Sequence, residues 1–230
     1  MGISSPSPFV VAVDGPSGAG KSSTSRGVAR ALGLNYLDTG AMYRALTWWL
    51  VSCGADTADQ ARVAELATVP AIEVSTDPDD PWTRVDGRDV SADIRTTEVS
   101  AKVSEVARVP EVRRHLIAKQ RAIIKAAAAG IVAEGRDIGT VVAPDAPLKV
   151  YLTADSGARA QRRAAEHGAA VDTTEADQAR RDRLDAAQSA KAEDAVLIDA
   201  TDLSLPAVTQ MITALARERT QLACAGEKSR

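Results

Sequence analysis

Hydrophobic positions along this chain follow two rhythms, and the switches between them mark out its elements. Phe9 to Val13 is a short apolar, β-branched run, which predicts a strand. Lys21 to Leu32 has helical composition and is followed by Gly33, a suitable residue just past a helix C-terminus. Leu34 to Asp38 predicts a second short strand, and the residues after it a helix running to about Val51. That strand–helix–strand–helix order predicts a parallel sheet covered by helices. Three later apolar runs, Ile131 to Ala133, Leu148 to Leu152 and Val196 to Ile198, suit buried parallel strands. Together with the first two strands they make five for the core.

Elsewhere the rhythm changes. From Ala71 to Ile94 short segments alternate (Ile72 to Ser75, Trp82 to Val85, Arg88 to Val90), with Asp86-Gly87 as a two-residue hairpin turn. A small antiparallel insert is expected there. Glu98 to Arg108 and Glu111 to Ala129 read as helices separated by Pro110, with Gly130 closing the second. Ser156 to Glu193 is polar and arginine-rich, its two helical stretches interrupted by His167-Gly168-Ala169-Ala170. Such a composition suits either a cover over an anion site or an ordinary solvated helical hairpin.

Length and charge narrow the class of partner. A chain of 230 residues with 45% hydrophobic content can bury its core as one α/β domain. The net charge of −3 gives no field that would collect nucleic acid or an anionic membrane, so a small-molecule partner is expected; the expected state, which the charge does not decide, is a monomer. The two cysteines, Cys53 and Cys224, form neither a metal motif nor a disulfide framework, which fits a reducing cytosol. Met1 to Pro8 has no basic segment followed by an apolar core, and no run approaches membrane-spanning length. A cytoplasmic location is expected.

The chemistry begins at Gly15-Pro16-Ser17-Gly18-Ala19-Gly20-Lys21-Ser22-Ser23, which matches GxxxxGK[ST] between a strand and a helix. This is the context a phosphate-binding loop requires. Backbone N–H groups and a helix N-terminus converge on an anion there, Lys21 adds a point charge, and Ser22 offers a hydroxyl to Mg²⁺. A nucleoside triphosphate is the natural occupant. A GTPase would need Asn-Lys-x-Asp, but the single asparagine, Asn35, is followed by Tyr36. No LSGGQ segment marks a transport ATPase, and no His-Arg-Asp marks a protein kinase. A small-molecule kinase remains.

If the acceptor is an alcohol, a carboxylate base helps; if it is a monophosphate, its oxygen is already an anion and repulsion becomes the problem. Converging arginines answer that repulsion, because guanidinium binds phosphate bidentately and keeps its charge. Arg44 follows the second strand and Arg136 follows the strand at Ile131 to Ala133, so both are expected at the crevice beyond the strand ends. Arg159, Arg162 and Arg163 lie within about one turn of a helix, and Arg181 lies in the polar segment, four residues before Asp185. Any one of these taken alone reads first as a solvated surface charge. Glu134-Gly135-Arg136-Asp137 does not, since it sets glycine freedom and both charge signs at the end of a buried strand.

Taken as a set, the phosphate loop, Asp38-Thr39-Gly40-Ala41-Met42-Tyr43-Arg44 and Glu134-Gly135-Arg136-Asp137-Ile138-Gly139-Thr140-Val141-Val142 resemble the bacterial cytidylate kinases. Val85-Asp86-Gly87-Arg88-Asp89-Val90-Ser91, Ile94-Arg95 and Pro144-Asp145-Ala146-Pro147 match as well. The resemblance runs from about Val10 to about Leu203. It implies a P-loop three-layer fold in which residues 62–96 form a monophosphate-binding insert and 156–193 a helical lid. It also implies transfer of the γ-phosphoryl of ATP to CMP or dCMP with Mg²⁺. In that pattern Thr39, Tyr43 and Arg44 line the monophosphate site, and Arg44 and Arg136 meet phosphate. Ser104, Arg113 and Asp137 address the cytosine ring, and Arg181 and Asp185 the sugar. Lys21, Arg136, Arg159, Arg163 and Arg181 are the implied catalytic cations. One position departs from the pattern: Gln188 stands where the lid usually carries an arginine, leaving Arg183 as a nearby cation. A nucleotide-binding module with weak transfer, or a kinase for another small acceptor, are the other readings of the same residues.

Overall fold

In the computed structural model, residues 8–167, 180, 182–185 and 189–227 are described. Strand β1 (Val10–Asp14) is buried along its whole length, because it lies at the centre of a parallel sheet with layers on both faces. Its neighbours are β6 (Ile131–Gly135) and β7 (Leu148–Thr153), and the sheet is completed by β2 (Asn35–Asp38) and β8 (Val196–Asp199) in the order β2-β6-β1-β7-β8. Every pairing is parallel, with Asp14 opposite Gly135 and Tyr151.

The pleat divides the apolar runs between two cores. Val10, Ala12, Ile131 and Ala133 face one side, and Val11, Val13, Val132 and Val150 the other. The first core is closed by α2 (Thr39–Ser52), α3 (Gln60–Leu66), α4 (Thr97–Val106) and α5 (Pro110–Ala126). The second is closed by α1 (Lys21–Leu32) and the C-terminal α7 (Leu205–Glu227). Helix α6 (Ser156–His167) follows β7. Among the described residues, no helix is long and apolar enough to cross a membrane.

The expected five-stranded sheet and antiparallel insert are both present. The insert is the sheet β3-β4-β5, of Ile72–Val74, Thr83–Val85 and Arg88–Asp89. Its hairpin turns at Asp86 and Gly87, both with positive φ (51° and 78°), as a primed two-residue turn requires. Several boundaries differ. Pro110 begins α5 instead of separating two helices, since proline's fixed φ and missing N–H suit a first helical position. Strand β6 extends two residues past Ala133, so Glu134 is a buried strand residue and Arg136 the first beyond it. Helices α3 and α7 lie outside the sequence-based expectation, although Val208, Ile212 and Ala216 on α7 carry a four-residue spacing and are buried.

Candidate active site

Because all five strands run the same way, their C-terminal ends open on one crevice. A cleft of about 570 Å³ lies there, lined by residues of the phosphate loop, the start of α2, the insert, α4, α5 and the turn after β6. Gly15 sits at its root: a Cβ there would stand 2.0 Å from the carbonyl oxygen of Leu152, and φ is +150°. Only glycine lets β1 turn into the loop at this point. Gly20 caps α1 in the left-handed conformation, and Lys21 folds its Nζ back to donate to Pro16 O at 2.8 Å. Ser17, Gly18, Gly20, Lys21, Ser22 and Ser23 all line the cleft.

Beside the loop lies an acidic group that motif reasoning leaves unassigned. Glu134 is 3% exposed, and Tyr36 donates its hydroxyl to Glu134 Oε1 at 2.5 Å. Burial pushes the Glu134 carboxyl up to about 7, and the charge of Asp38 adds to the shift; Lys21, the Tyr36 hydroxyl and the Ser22 hydroxyl oppose it. Burial likewise raises Tyr36 well above the usual phenol range, so it stays a neutral donor. Thr39, expected in the monophosphate site, is buried and donates to Glu134 O at 2.7 Å, strapping α2 to β6.

The sign of the Glu134 shift carries a stability consequence. Below the ordinary value of 4.5 the carboxyl is protonated in folded and unfolded chains alike. Between there and about 7 the unfolded chain gives up its proton first, so folding weakens as pH rises and the loss is complete above the folded value. Glu134→Gln keeps the Tyr36 hydrogen bond and removes the titration. The nucleotide-free variant is expected to be more stable than wild type at pH 8, by at most roughly 3 kcal/mol, and little different at pH 4. Paired thermal melts at the two pH values check this.

Also in the cleft, Arg113 and Asp137 form a close ion pair, with side chains 19% and 10% exposed. Burial alone would pull the guanidinium down, but the hydrogen bond and charge of Asp137 raise it, so it stays charged. Tyr43 is pushed up to about 12, mainly by burial, and Ser104 is 3% exposed; both line the cleft with the pair. Arg44 donates to Ser100 Oγ at 3.0 Å. Arg95, with no role in the sequence reading, also lines the cleft and lies 3.7 Å from Asp38.

Arg136 lies 3.0 Å from Asp185 and 3.6 Å from Asp182. Arg159 reaches across to Asp182 at 2.6 Å and donates to Ser17 O at 3.0 Å. Asp182 Oδ1 is also 3.5 Å from the backbone N–H of Ser17. Thus Arg159 turns inward onto the phosphate loop, whereas its neighbour Arg162 braces the end of β8 through Ala200 O at 2.5 Å. Asp185, expected at the sugar, here faces Arg136. Arg183 is exposed. Arg181, Gln188 and the side chain of Arg163 lie outside the described residues. Sequence reasoning singled out the Glu134-Gly135-Arg136-Asp137 segment but gave Glu134 no role, and it overlooked Asp182 and Tyr36; the one signal for Asp182 was a carboxylate beside an arginine in Arg181-Asp182.

A single cleft therefore joins a phosphate loop to a second set of cations and an Arg–Asp pair. The family model described as cytidylate kinase matches residues 11–218 of this chain. The chain belongs to the cytidylate kinase family. A cytidylate kinase from Streptomyces avermitilis is 52% identical over 215 residues, covering 91% of this chain and 93% of that protein. One from Streptomyces coelicolor is 54% identical with the same coverage, and one from Mycolicibacterium paratuberculosis is 43% identical over 94% of this chain and 99% of its own length. Membership of the cytidylate kinase family makes the protein a kinase.

Proposed function

We propose that the protein transfers the γ-phosphoryl group of ATP to CMP or dCMP, giving ADP and the diphosphate. The observation that carries this reading is that the Arg113–Asp137 pair and the phosphate loop open on the same cleft. Cytosine offers a donor at N4 and acceptors at N3 and O2. Asp137 can accept from N4 while Arg113 and the Ser104 hydroxyl donate to the opposite edge. Uracil would set its own carbonyl against Asp137.

No proton need be removed from the acceptor, since a nucleoside monophosphate attacks through an oxygen that is already anionic. The protein's task is to bring two anions together in line and neutralise the charge between them. Lys21 meets the donor phosphates, Arg44 and Arg136 the acceptor phosphate, and Arg159, held over the loop, the group in transit, with Arg163 and Arg181 as further cations. A phosphate arriving at Arg136 takes the place now held by Asp185, which frees that carboxylate for the sugar. Residues 62–96 form the acceptor-side insert and 156–193 the lid in this reading. The protein acts as a monomer in the cytoplasm.

Mg²⁺ fits the donor set beside the loop. Among the described residues no group of three or more His, Cys, Asp or Glu is placed to hold a metal alone, but Mg²⁺ is usually held by one or two protein oxygens with phosphates and water. Ser22 would ligate it with Glu134 alongside, and the ion would neutralise phosphate charge during transfer. The buried, proton-retaining Glu134 carboxyl is the kind of group a cation stabilises as the anion.

ADP formation measured with CMP, dCMP, UMP and AMP as acceptors tests the function. Transfer to CMP and dCMP, with UMP and AMP poorer, is the expected result. ADP at background with all four would leave a binding module only, and preference for UMP or AMP would mean a different acceptor.

A further inference from the structure

Asp14 ends β1 immediately before the phosphate loop and is 4% exposed. Its two carboxylate oxygens are both engaged across the crevice: Oδ1 accepts from the backbone N–H of Ile138 and Oδ2 from that of Gly139, each at 2.8 Å. These N–H groups open the single wide helical turn Ile138–Val142, where a turn has no internal acceptor to offer them. The same turn is closed on the carbonyl of Asp137, which accepts from the N–H groups of Val141 and Val142 at 2.8 and 3.2 Å. At its far end Arg121 donates to Val141 O at 2.6 Å and Val142 O at 3.1 Å.

The turn packs closely on Asp14: a Cβ on Gly139 would stand 3.3 Å from Asp14 Oδ2 and 3.1 Å from Lys149 Cδ, so these side chains would have to give by a few tenths of an ångström. Asp14 does not line the cleft, but the two residues just ahead of the turn, Arg136 and Asp137, do. Around the carboxylate, Asp137 and Lys21 supply opposing charges, while burial raises its pKa and the two N–H donors lower it.

Resting on the acceptor reading above, we propose that Asp14 is a positioning residue: by clamping the first two N–H groups of the 138–142 turn to the strand that carries the phosphate loop, it sets Arg136 and Asp137 at a fixed distance from the donor. A carboxylate suits this because it presents two acceptors and no donor. Asparagine at the same place keeps one acceptor and turns an NH₂ group against a backbone N–H. The clamp ties the acceptor-reading residues to the donor loop, so its loss acts on recognition of the acceptor as well as on folding.

The experiment is steady-state kinetics of folded Asp14→Asn with CMP and UMP, alongside amide exchange of Ile138 and Gly139. The expected result is a KM for CMP raised by about ten- to a hundredfold, a narrowed CMP-to-UMP ratio of kcat/KM, a KM for ATP within about twofold of wild type, and faster exchange at both amides. A folded variant with a lower melting temperature but wild-type KM for CMP and wild-type CMP-to-UMP ratio overturns the proposal, since it shows structural support alone. If Asp14→Asn does not fold, Gly139→Ala, which crowds Asp14 Oδ2 at the same contact, decides by the same two ratios. Ile138 and Gly139 amides that exchange as fast as exposed amides in wild type also overturn it. Absence of CMP transfer by wild type overturns the acceptor reading and this role with it; transfer by wild type with unshifted variants overturns this role alone.

Discussion

Lys21→Ala is expected to leave a folded protein whose transfer of phosphoryl from ATP to CMP falls by roughly a thousandfold or more. Lys21 opens α1 and lines the cleft, with its ammonium held 2.8 Å from Pro16 O above the loop. Among the described residues no other lysine lines the cleft, and the loop's remaining contribution is neutral: backbone N–H groups and serine hydroxyls. Alanine is a good helix former at this first turn, so α1 and the sheet beneath it should survive. Circular dichroism melts should therefore match wild type within a few degrees while ADP production collapses. Lys21→Arg is no substitute, because a planar fork does not occupy the place of a compact ammonium. Activity near wild type in Lys21→Ala would remove the loop from the reaction.

Arg136→Ala should be as damaging for a different reason. The guanidinium lies between the carboxylates of Asp185 and Asp182, at 3.0 and 3.6 Å, and its side chain is 21% exposed. On the proposed reading, removing it takes away the cation for the acceptor phosphate and leaves two acidic groups facing the space that phosphate must enter. A fall of roughly a thousandfold or more in kcat/KM for CMP is expected, with binding of ATP alone little changed. Arg136→Lys restores the charge without the bidentate fork, so it should recover part of the loss and no more. Kinetics with CMP, combined with ATP binding measured by calorimetry, separates the two halves of the site. An equal loss of ATP binding and CMP turnover would place Arg136 on the donor side.

Much of this fold was legible in the residues because it follows from local pattern. The five strands, the hairpin at Asp86-Gly87 and helix α1 each depend on a short run whose apolar spacing or turn chemistry is self-contained. Boundaries were less legible. Strand β6 continues through Glu134 because β1 and β2 offer it partners to that depth, and partnership is not written in the run itself. Helix α7 also exposes Leu205 and Met211, so apolar residues lie on more than one of its faces, and the stripe of Val208, Ile212 and Ala216 gains its meaning from the face of the sheet and α1 that it covers.

The candidate site divides along the same line. Gly15 to Ser23 announces a phosphate site because the loop makes it from consecutive residues, and Arg44 and Arg136 could be placed at strand ends because parallel strands share one rim. Those features belong to the sequence by itself. What only the tertiary structure decided is which charge meets which: Arg136 against Asp185, Arg159 against Asp182, Arg113 against Asp137, and Glu134 beneath Tyr36. These partners are separated by 49, 23, 24 and 98 positions (185 − 136, 182 − 159, 137 − 113 and 134 − 36). Electrostatic attraction acts through space and is strengthened by burial, so pairing emerges only once the chain has folded and shut out water.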